Sequence, residues 1–465
     1  MSALRTTLRW LMWAAIAIVA VPVVLYLFAL AVNWRDQSPN AEALALAAAP
    51  IPDPIPDSAN AYVYMLGFAV PPVGDPSVIG LTRADWIRTL AADPQIASAS
   101  DPYPGSAPDF GQVPEPLSAV LMPCGNPDAA CVAAFEAAAA TLGQPLDEQR
   151  TLIERYRTLL NYHAWRDVTS GDVRSPLPPY ADVGYARRLF LLETWLLAAA
   201  GNATEVRTRL EADLAFWRMA LAESDLLFGK TIAASYVNLN FLWGNLILRQ
   251  LPPERRADGV PEAWRRSITD TERSIRRAFA GEWRVVNASI RFMRDHDLAL
   301  PRSDVRQSRS VLERVAVELE RPLFKPQATI NRYAATYVKL EALLSVPYPE
   351  LRAALARAPE ADEPPKGVLA VTYNIVGNGL GNPDPSLLAN YAVRIADLEG
   401  ARRAALMAAD LRLLKIPPEL AGAMIPLAAT RDPYTGGPFA WTADPATISF
   451  TGLERTSGTR HKFLY

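Results

Sequence analysis

Residues 11–32, LMWAAIAIVAVPVVLYLFALAV, carry no charged side chain and decide the topology of everything after them. At ~1.5 Å per residue a helix of this length covers ~33 Å, the depth of a bilayer's hydrocarbon core. Lipid offers no partner to a bare N–H or C=O, so a single such stretch can cross only as a helix. Arg5 and Arg9 precede it, and the positive-inside rule keeps that end in the cytoplasm. Trp10, Trp13 and Trp34 stand near its two ends, where indole rings favour the membrane–water interface. Pro22 is tolerable inside a membrane helix. The rival reading is a cleaved signal peptide. Its apolar region is usually ~7–15 residues, shorter than this run. The small-residue site, ALAAA at 45–49, lies far downstream and Pro50 follows it. We therefore expect an uncleaved single-pass anchor. The lipid bilayer would surround residues 11–32, residues 1–10 would lie in the cytoplasm, and the body would lie in the periplasm.

Only six of the 47 basic residues are Lys. With the Ala-rich helices, that bias suggests a high-GC bacterial genome, so the membrane expected is the bacterial inner membrane. The 465 residues, half of them hydrophobic, suffice for a large core. A net charge of −2 gives no basic face of the kind nucleic acid demands, and no nucleic-acid partner is expected.

Cys124 and Cys131 stand in MPCGNPDAACVAAF, with a Gly-Asn-Pro turn between them. In an oxidising periplasm a local disulfide is the natural reading, contributing on the order of 2–3 kcal/mol through loop closure. No second Cys or His pair lies near enough for zinc, and the spacing is not that of a C-x-x-C redox centre.

After the anchor, residues 33–59 include the run PIPDPIP. It favours an extended, semi-stiff conformation and reads as a spacer lifting the body off the membrane. Residues 60–127 read as an irregular segment with one short helix at 83–92 capped by Thr82. NAYVYMLGF at 60–68 fits either strand or helix. Residues 128–415 read as a helical body. Gly201 stops one helix and Asn202 caps the next. Residues 226–250 are apolar enough to suggest a second span, but Lys230, Ser235, Asn238, Asn240 and Asn245 favour a buried helix of a soluble bundle. A long amphipathic helix is expected from Pro261 to about Arg294, with an arginine-rich face. Further helices are expected at 305–320, 327–345, 348–358 and 385–414. No repeat of 20–50 residues emerges.

Residues 416–465 change character. Pro433, Gly436, Gly437 and Pro438 are turn formers, and Phe439 and Trp441 alternate, as do Ile448 and Phe450. A β-hairpin is expected, packed on the helix before it because two strands alone are marginal. The last residues, around His461, show no such pattern and are expected to tolerate change. The fold class expected is mainly α: an N-terminal transmembrane helix, a helical-hairpin bundle or solenoid-like body, and a small C-terminal β-hairpin. The block Asp432, Pro433, Tyr434, Thr435, Gly436 and Pro438 resembles one closing many N-terminally anchored bacterial proteins without an established activity. It is also similar to the end of type II secretion pseudopilin heads. The chain lacks the prepilin cleavage motif of pseudopilins, so no metal site is carried over. NAYVYMLGF followed by DPSVIG, and LFKPQATINRY at 323–333, resemble segments of the same anchored proteins.

Three histidines occur, His163, His296 and His461, none paired at metal-ligand spacing. RDHD at 294–297 carries part of a metal-dependent phosphohydrolase motif, without its upstream His ligands. G-x-S-x-G, H-E-x-x-H, the P-loop and the dinucleotide fingerprint do not occur. GNGLGN at 377–382 lacks a following Lys-Ser/Thr and reads as a loop. No metal or cofactor is expected. The remaining lead is polar residues on apolar helices: Ser235, Asn238 and Asn245 on one, Asn287 and Arg291 on another, and Asn374 and Asn378 before the glycine loop. They could line a ligand pocket or satisfy one another in the core. The function expected is a non-enzymatic interaction or scaffold protein of the inner membrane with a protein partner in the envelope. The alternatives are a periplasmic hydrolase with a carboxylate-based site, and a ligand-binding or envelope-stress sensor.

Overall fold

The computed structural model describes residues 2–51, 53–92, 103–104, 114–125, 127–168, 175–295, 310–357, 367–381, 384–453 and 460–465. The first helix, α1 (Ser2–Val32), runs unbroken through Pro22. Among the described residues it is the helix long and apolar enough to cross a membrane. Its apolar side chains are exposed along most of its length, while Ala29 and Asn33, near its end, are buried against the body. Asn33 donates to the Thr372 carbonyl at 2.7 Å and accepts from the Asn374 N–H at 2.7 Å. Asp36 accepts from the Gln327 and Ala328 N–H groups. Asn331 donates to the Ser38 carbonyl, and Asn40 N–H donates to Asn331. The short α2 (Ala41–Ala47), capped by Asn40, then buries Ala43 and Leu46.

The segment after α1 is therefore not a free spacer. Its polar side chains find partners on the body before the Pro-rich run begins at Pro50, and the LFKPQATINRY block supplies several of those partners.

Residues 60–127 are more helical than expected. NAYVYMLGF forms α3 (Ala61–Leu66), capped by Asn60 and buried at every position. The next helix, α4 (Pro76–Ala92), starts earlier than residue 83. Pro76 suits a first helical position, Asp75 accepts from the Ser77 N–H, and Thr82 bonds back to the Val78 carbonyl inside the helix. Between α3 and α4 the Pro-rich chain turns several carbonyls toward the helix Arg150–Leu160. Arg155 of that helix donates to those of Phe68, Val70, Pro71 and Gly74. After α5 (Glu115–Leu121) comes α6 (Ala129–Ala138), capped by Asp128.

Cys124 and Cys131 are bridged, tying the end of α5 to the first turn of α6. Unreduced peptide mapping of the native protein is expected to find this bridge. Two freely alkylated thiols would remove it.

Two short helices follow, α7 (Gly143–Glu148) and α8 (Arg150–Leu160), then the centre of the molecule. Helices α9 (Tyr180–Ala199), α10 (Ala203–Glu223) and α11 (Leu227–Gln250) pack side by side. Gly201 takes a φ of +79° between α9 and α10, and Asn202 caps α10 as its side chain allows. The buried polar residues of α11 are all answered. Asn240 donates to Asp213, Lys230 donates to the Leu221 and Glu272 carbonyls, and Asn245 donates to the Leu464 carbonyl.

The long helix expected from Pro261 is broken. Beyond α12 (Arg256–Gly259) there is a 3₁₀ turn at 262–265 that buries Trp264, then α13 (Asp270–Arg273), then α14 (Arg276–Asp295). Thr269 and Glu272 form a capping box that starts α13 afresh, and Ser274 is extended. Local capping overrides the helical periodicity there.

Next come α15 (Val311–Glu320), α16 (Pro326–Leu344), α17 (Tyr348–Ala356), α18 (Val368–Thr372) and α19 (Ile375–Gly379). The last long helix, α20 (Pro385–Leu413), packs on α11. With neighbours on several sides of α11, the body is a bundle rather than a solenoid. After α21 (Pro418–Met424) the chain closes with an antiparallel sheet: β1 (Ala440–Ala443), β2 (Ala446–Thr451) and β3 (Arg460–Leu464) in that order. The expected hairpin is β1–β2, with Trp441 opposite Ile448. A third strand joins it, with Ile448 opposite Phe463 and Phe450 opposite His461. The sheet packs on α20, and Phe439, Ile448, Phe450 and Phe463 are buried.

Candidate functional site

Four elements bring polar side chains to one place: α11, α20, the turn before β1, and β3. The turn comes from the Asp-Pro-aromatic-Thr-Gly-x-Pro block. Asp432 accepts from the Tyr434 N–H at 2.8 Å, the Gly436 N–H returns to the Asp432 carbonyl, and Gly436 sits at a φ of +66°, which glycine adopts without strain. That geometry aims Tyr434 inward, and its hydroxyl donates to Asp397 Oδ1 on α20 at 2.6 Å. The Leu453 N–H donates to the same oxygen at 3.2 Å. Asp397 Oδ2 lies 3.1 Å from His461 Nε2 on β3. A Cβ at Gly452 would come within 2.4 Å of Asp397 Oδ2 and 2.7 Å of His461 Nε2, so only glycine lets the chain pass over the pair.

The His461 ring stacks on Phe450 at 4.6 Å between centroids, nearly parallel. Its orientation is thus fixed by a ring on one face and a carboxylate on one edge. An ionised Asp397 accepts from Tyr434, Leu453 and His461 together. In that arrangement His461 donates to the carboxylate from Nε2. Asp397 is 4% exposed and His461 18%, so the acid is buried and the imidazole reaches solvent. Burial raises the Tyr434 phenol well above its ordinary pKa, and Asp397 adds to that. Tyr434 therefore stays a proton donor to the carboxylate.

Beside this pair is a cleft of about 230 Å³, lined by Thr231, Ala234, Ser235 and Asn238 of α11, by Arg394 and Asp397 of α20, and by His461. Thr231 donates to the Leu227 carbonyl. Among the described residues the side chains of Ser235 and Asn238 have no hydrogen-bond partner. The cleft thus holds a cation, an oriented imidazole, a hydroxyl and a carboxamide on a partly apolar floor.

Of the pocket expected from the sequence, Ser235 and Asn238 belong to this cleft and the others do not. Asn245 lies two turns further along α11. It donates to the Leu464 carbonyl and accepts from Arg412 at 2.9 Å, which fastens the end of β3. The Arg412 guanidinium there is pushed down to about 9 by burial and by Arg249 and Arg256 nearby. Asn287 and Arg291 bond to each other on α14, and Arg291 also reaches Gln327 on α16. That face of α14 is apart from the cleft. Asn374 and Asn378 serve the joint under α1: Asn374 bonds Asn33, Lys325 and Thr329, and Asn378 bonds Arg332. His163 is exposed, and RDHD, with His296, extends beyond the described residues. Among those residues no group of three metal-ligating side chains comes together.

Sequence reasoning missed Arg394, Asp397, Tyr434 and His461. The expectation that His461 tolerates change is corrected by its bond to Asp397 and its stack on Phe450. A signal was present: His461, Phe463 and Tyr465 alternate as strand residues do. Asp397 gave none, because a carboxylate on a helix looks solvent-facing until its partners are placed.

Compared with family models, curated proteins and solved structures, the chain matches none.

Proposed function

We propose that this is a single-pass protein of the bacterial inner membrane, with its N-terminus in the cytoplasm, whose periplasmic body binds a small polar ligand in the cleft beside His461. Arg5 and Arg9 before α1 support the orientation. The observation that carries the ligand is the convergence of the Asp397–His461 pair and the unpartnered Ser235 and Asn238 on one small cleft. Ser235, Asn238 and His461 suit the hydroxyl, amide or carboxylate groups of a small ligand. The volume is below the ~300–1,000 Å³ of drug-sized sites, which fits a molecule the size of an amino acid or hydroxy acid.

Thermal unfolding of the full chain in detergent, against a panel of amino acids, 2-hydroxy acids and sugar phosphates, tests this. A compound that binds the native state raises its stability, by ~2.7 kcal/mol at a hundredfold excess over Kd. The shift should vanish in Ser235→Ala/Asn238→Ala and in His461→Gln. No shift from any compound, or equal shifts in the variants, sinks the reading. A periplasm-active reporter fused after Tyr465 should be active; activity only in a cytoplasmic reporter reverses the topology.

One observation favours a second reading, hydrolysis. A buried carboxylate orienting a solvent-reaching imidazole is the base half of a nucleophilic site, and the hydroxyls of Ser235 and Thr231 line the same cleft. Release of nitrophenol from p-nitrophenyl acetate, lost in both His461→Gln and Ser235→Ala, would support it. Turnover unchanged in either variant removes it. A protein partner in the envelope, the role expected from the anchor, is a further proposal that crosslinking in intact cells tests.

A further inference from the structure

Helix α15 has no buried residue. Yet its side chains are segregated. Val311, Leu312, Val315, Ala316 and Leu319 share one face, and Glu313, Arg314, Glu318 and Glu320 share the other, with the half-buried Val317 among them. Leu312 is 81% exposed. The short α18 also leaves apolar side chains in the open, with Val368 72% exposed and Leu369 and Val371 also bare. Apolar surface left in water forgoes ~25 cal/mol per Å². A ten-residue helix with nothing on its apolar face has little else to hold it folded.

The short α18 and the 3₁₀ turn at 321–323 that follows α15 stand against α1. The Tyr26 hydroxyl donates to the Leu319 carbonyl at 3.0 Å, and Asn33 donates to the Thr372 carbonyl at 2.7 Å. Tyr26 precedes Val32 by six residues, ~9 Å along the helix axis. The end of α15 is therefore level with the apolar run of α1, not beyond it. The bare faces of α15 and α18 continue the bare surface of α1 itself.

We propose that α15 and α18 lie in the interfacial layer of the bilayer that α1 spans, with their apolar faces turned into the acyl chains. The proposal rests on the reading of α1 as a membrane span. Lipid is the occupant because the depth of Leu319 beside α1 puts α15 where the bilayer must be. An amphipathic helix of this kind buries its apolar face ~5–10 Å into the headgroup boundary. The body is thereby seated on the membrane at three points, with the polar joint of Asn33, Asp36 and Asn374 above them. It cannot swing about α1, and the cleft at His461 is held at a fixed attitude to the bilayer.

The two native cysteines are bridged, so single introduced cysteines can be labelled selectively with an environment-sensitive nitrobenzoxadiazole dye. The full chain is reconstituted into vesicles of phosphatidylcholine and phosphatidylglycerol. Labels are placed at Leu312→Cys and Leu369→Cys, with Val19→Cys in α1 and Val73→Cys in the α3–α4 connection for reference. The dye at 312 and 369 should emit to the blue, lose its emission to spin-labelled lipid and be shielded from aqueous cobalt. The dye at 73 should behave in the opposite way.

If 19 is quenched by lipid while 312 and 369 respond to cobalt like 73, the proposal is overturned and the anchor stands. If 19 also escapes lipid quenching and the protein fails to float with vesicles, the anchor reading falls and the proposal falls with it. Shielding of 312 and 369 from cobalt without quenching by spin-labelled lipid means that a second copy or another protein covers the face, and overturns the proposal too.

Discussion

Asp213→Ala is expected to destabilise the body by ~3–5 kcal/mol, because it leaves a buried guanidinium without its counter-charge. Arg187 reaches Asp213 through Nε at 2.8 Å and Nη2 at 2.7 Å, and both side chains are sealed from solvent. Burial alone would lower the pKa of Arg187, but Asp213 and Tyr156 carry it above its ordinary value. The same carboxylate accepts from the Tyr156 hydroxyl and from Asn240. Trp217 donates to that hydroxyl and Trp264 to Asn240. One substitution therefore strands donors on α8, α9 and α11. Arg187→Met/Asp213→Ala should recover part of the loss, since it removes both charges. Urea unfolding monitored by tryptophan fluorescence measures both variants. A loss below ~1 kcal/mol, the range of an exposed ion pair, would mean that the pair is not sealed in solution.

Lys230→Met is expected to change the pH dependence of stability by an amount of the same order. Burial, with Arg277 nearby, lowers the Lys230 pKa from 10.5 to about 7, against the opposing pull of Glu272. The folded state thus favours the neutral amine. Above pH 10.5 the amine is neutral in both states and burial carries no charge penalty. As pH falls from 10.5 to 7 the unfolded chain takes up a proton that the native state resists, and stability is lost. Below 7 both states are charged and the loss is complete, on the order of 5 kcal/mol. Met carries no such penalty, although it leaves the Leu221 and Glu272 carbonyls without the donor Lys230 supplies. The stability of the parent relative to the variant should therefore fall steadily from pH 10 to 7. A difference that stays flat across that interval would show that the amine is solvated or paired in the native state.

The arginine-rich face of α14 shows how much periodicity alone can convey. Arg277 pairs with Asp225 and Arg284 donates to the Ala49 carbonyl. Part of a face that reads as solvated or partner-facing is occupied by the protein's own chain, while Arg276, Arg291 and Arg294 stay exposed. The break before α14 was hidden for a related reason. A capping box of Thr269 and Glu272 is a short signal inside a strong helical stripe, and only packing of Trp264 into the core makes the break worth its lost helical bonds.

The sequence by itself determined the features that depend on neighbours along the chain. The apolar run of α1, the disulfide between Cys124 and Cys131, the helices α9, α10, α11, α16 and α20, and the turn at Gly436 all follow from local composition, spacing and backbone preference. The pairing of Ser235 and Asn238 on one face of α11 was also legible, because residues three apart on a helix share a face. What only the tertiary structure decided are the meetings of residues far apart in sequence: Asp397 with His461, Asp213 with Arg187 and Tyr156, and the docking of residues 33–40 onto α16. A carboxylate, an imidazole or an asparagine has the same local signature whether it faces water or a partner. Its role is set by burial and by what stands opposite it, and those quantities exist only once the chain has packed.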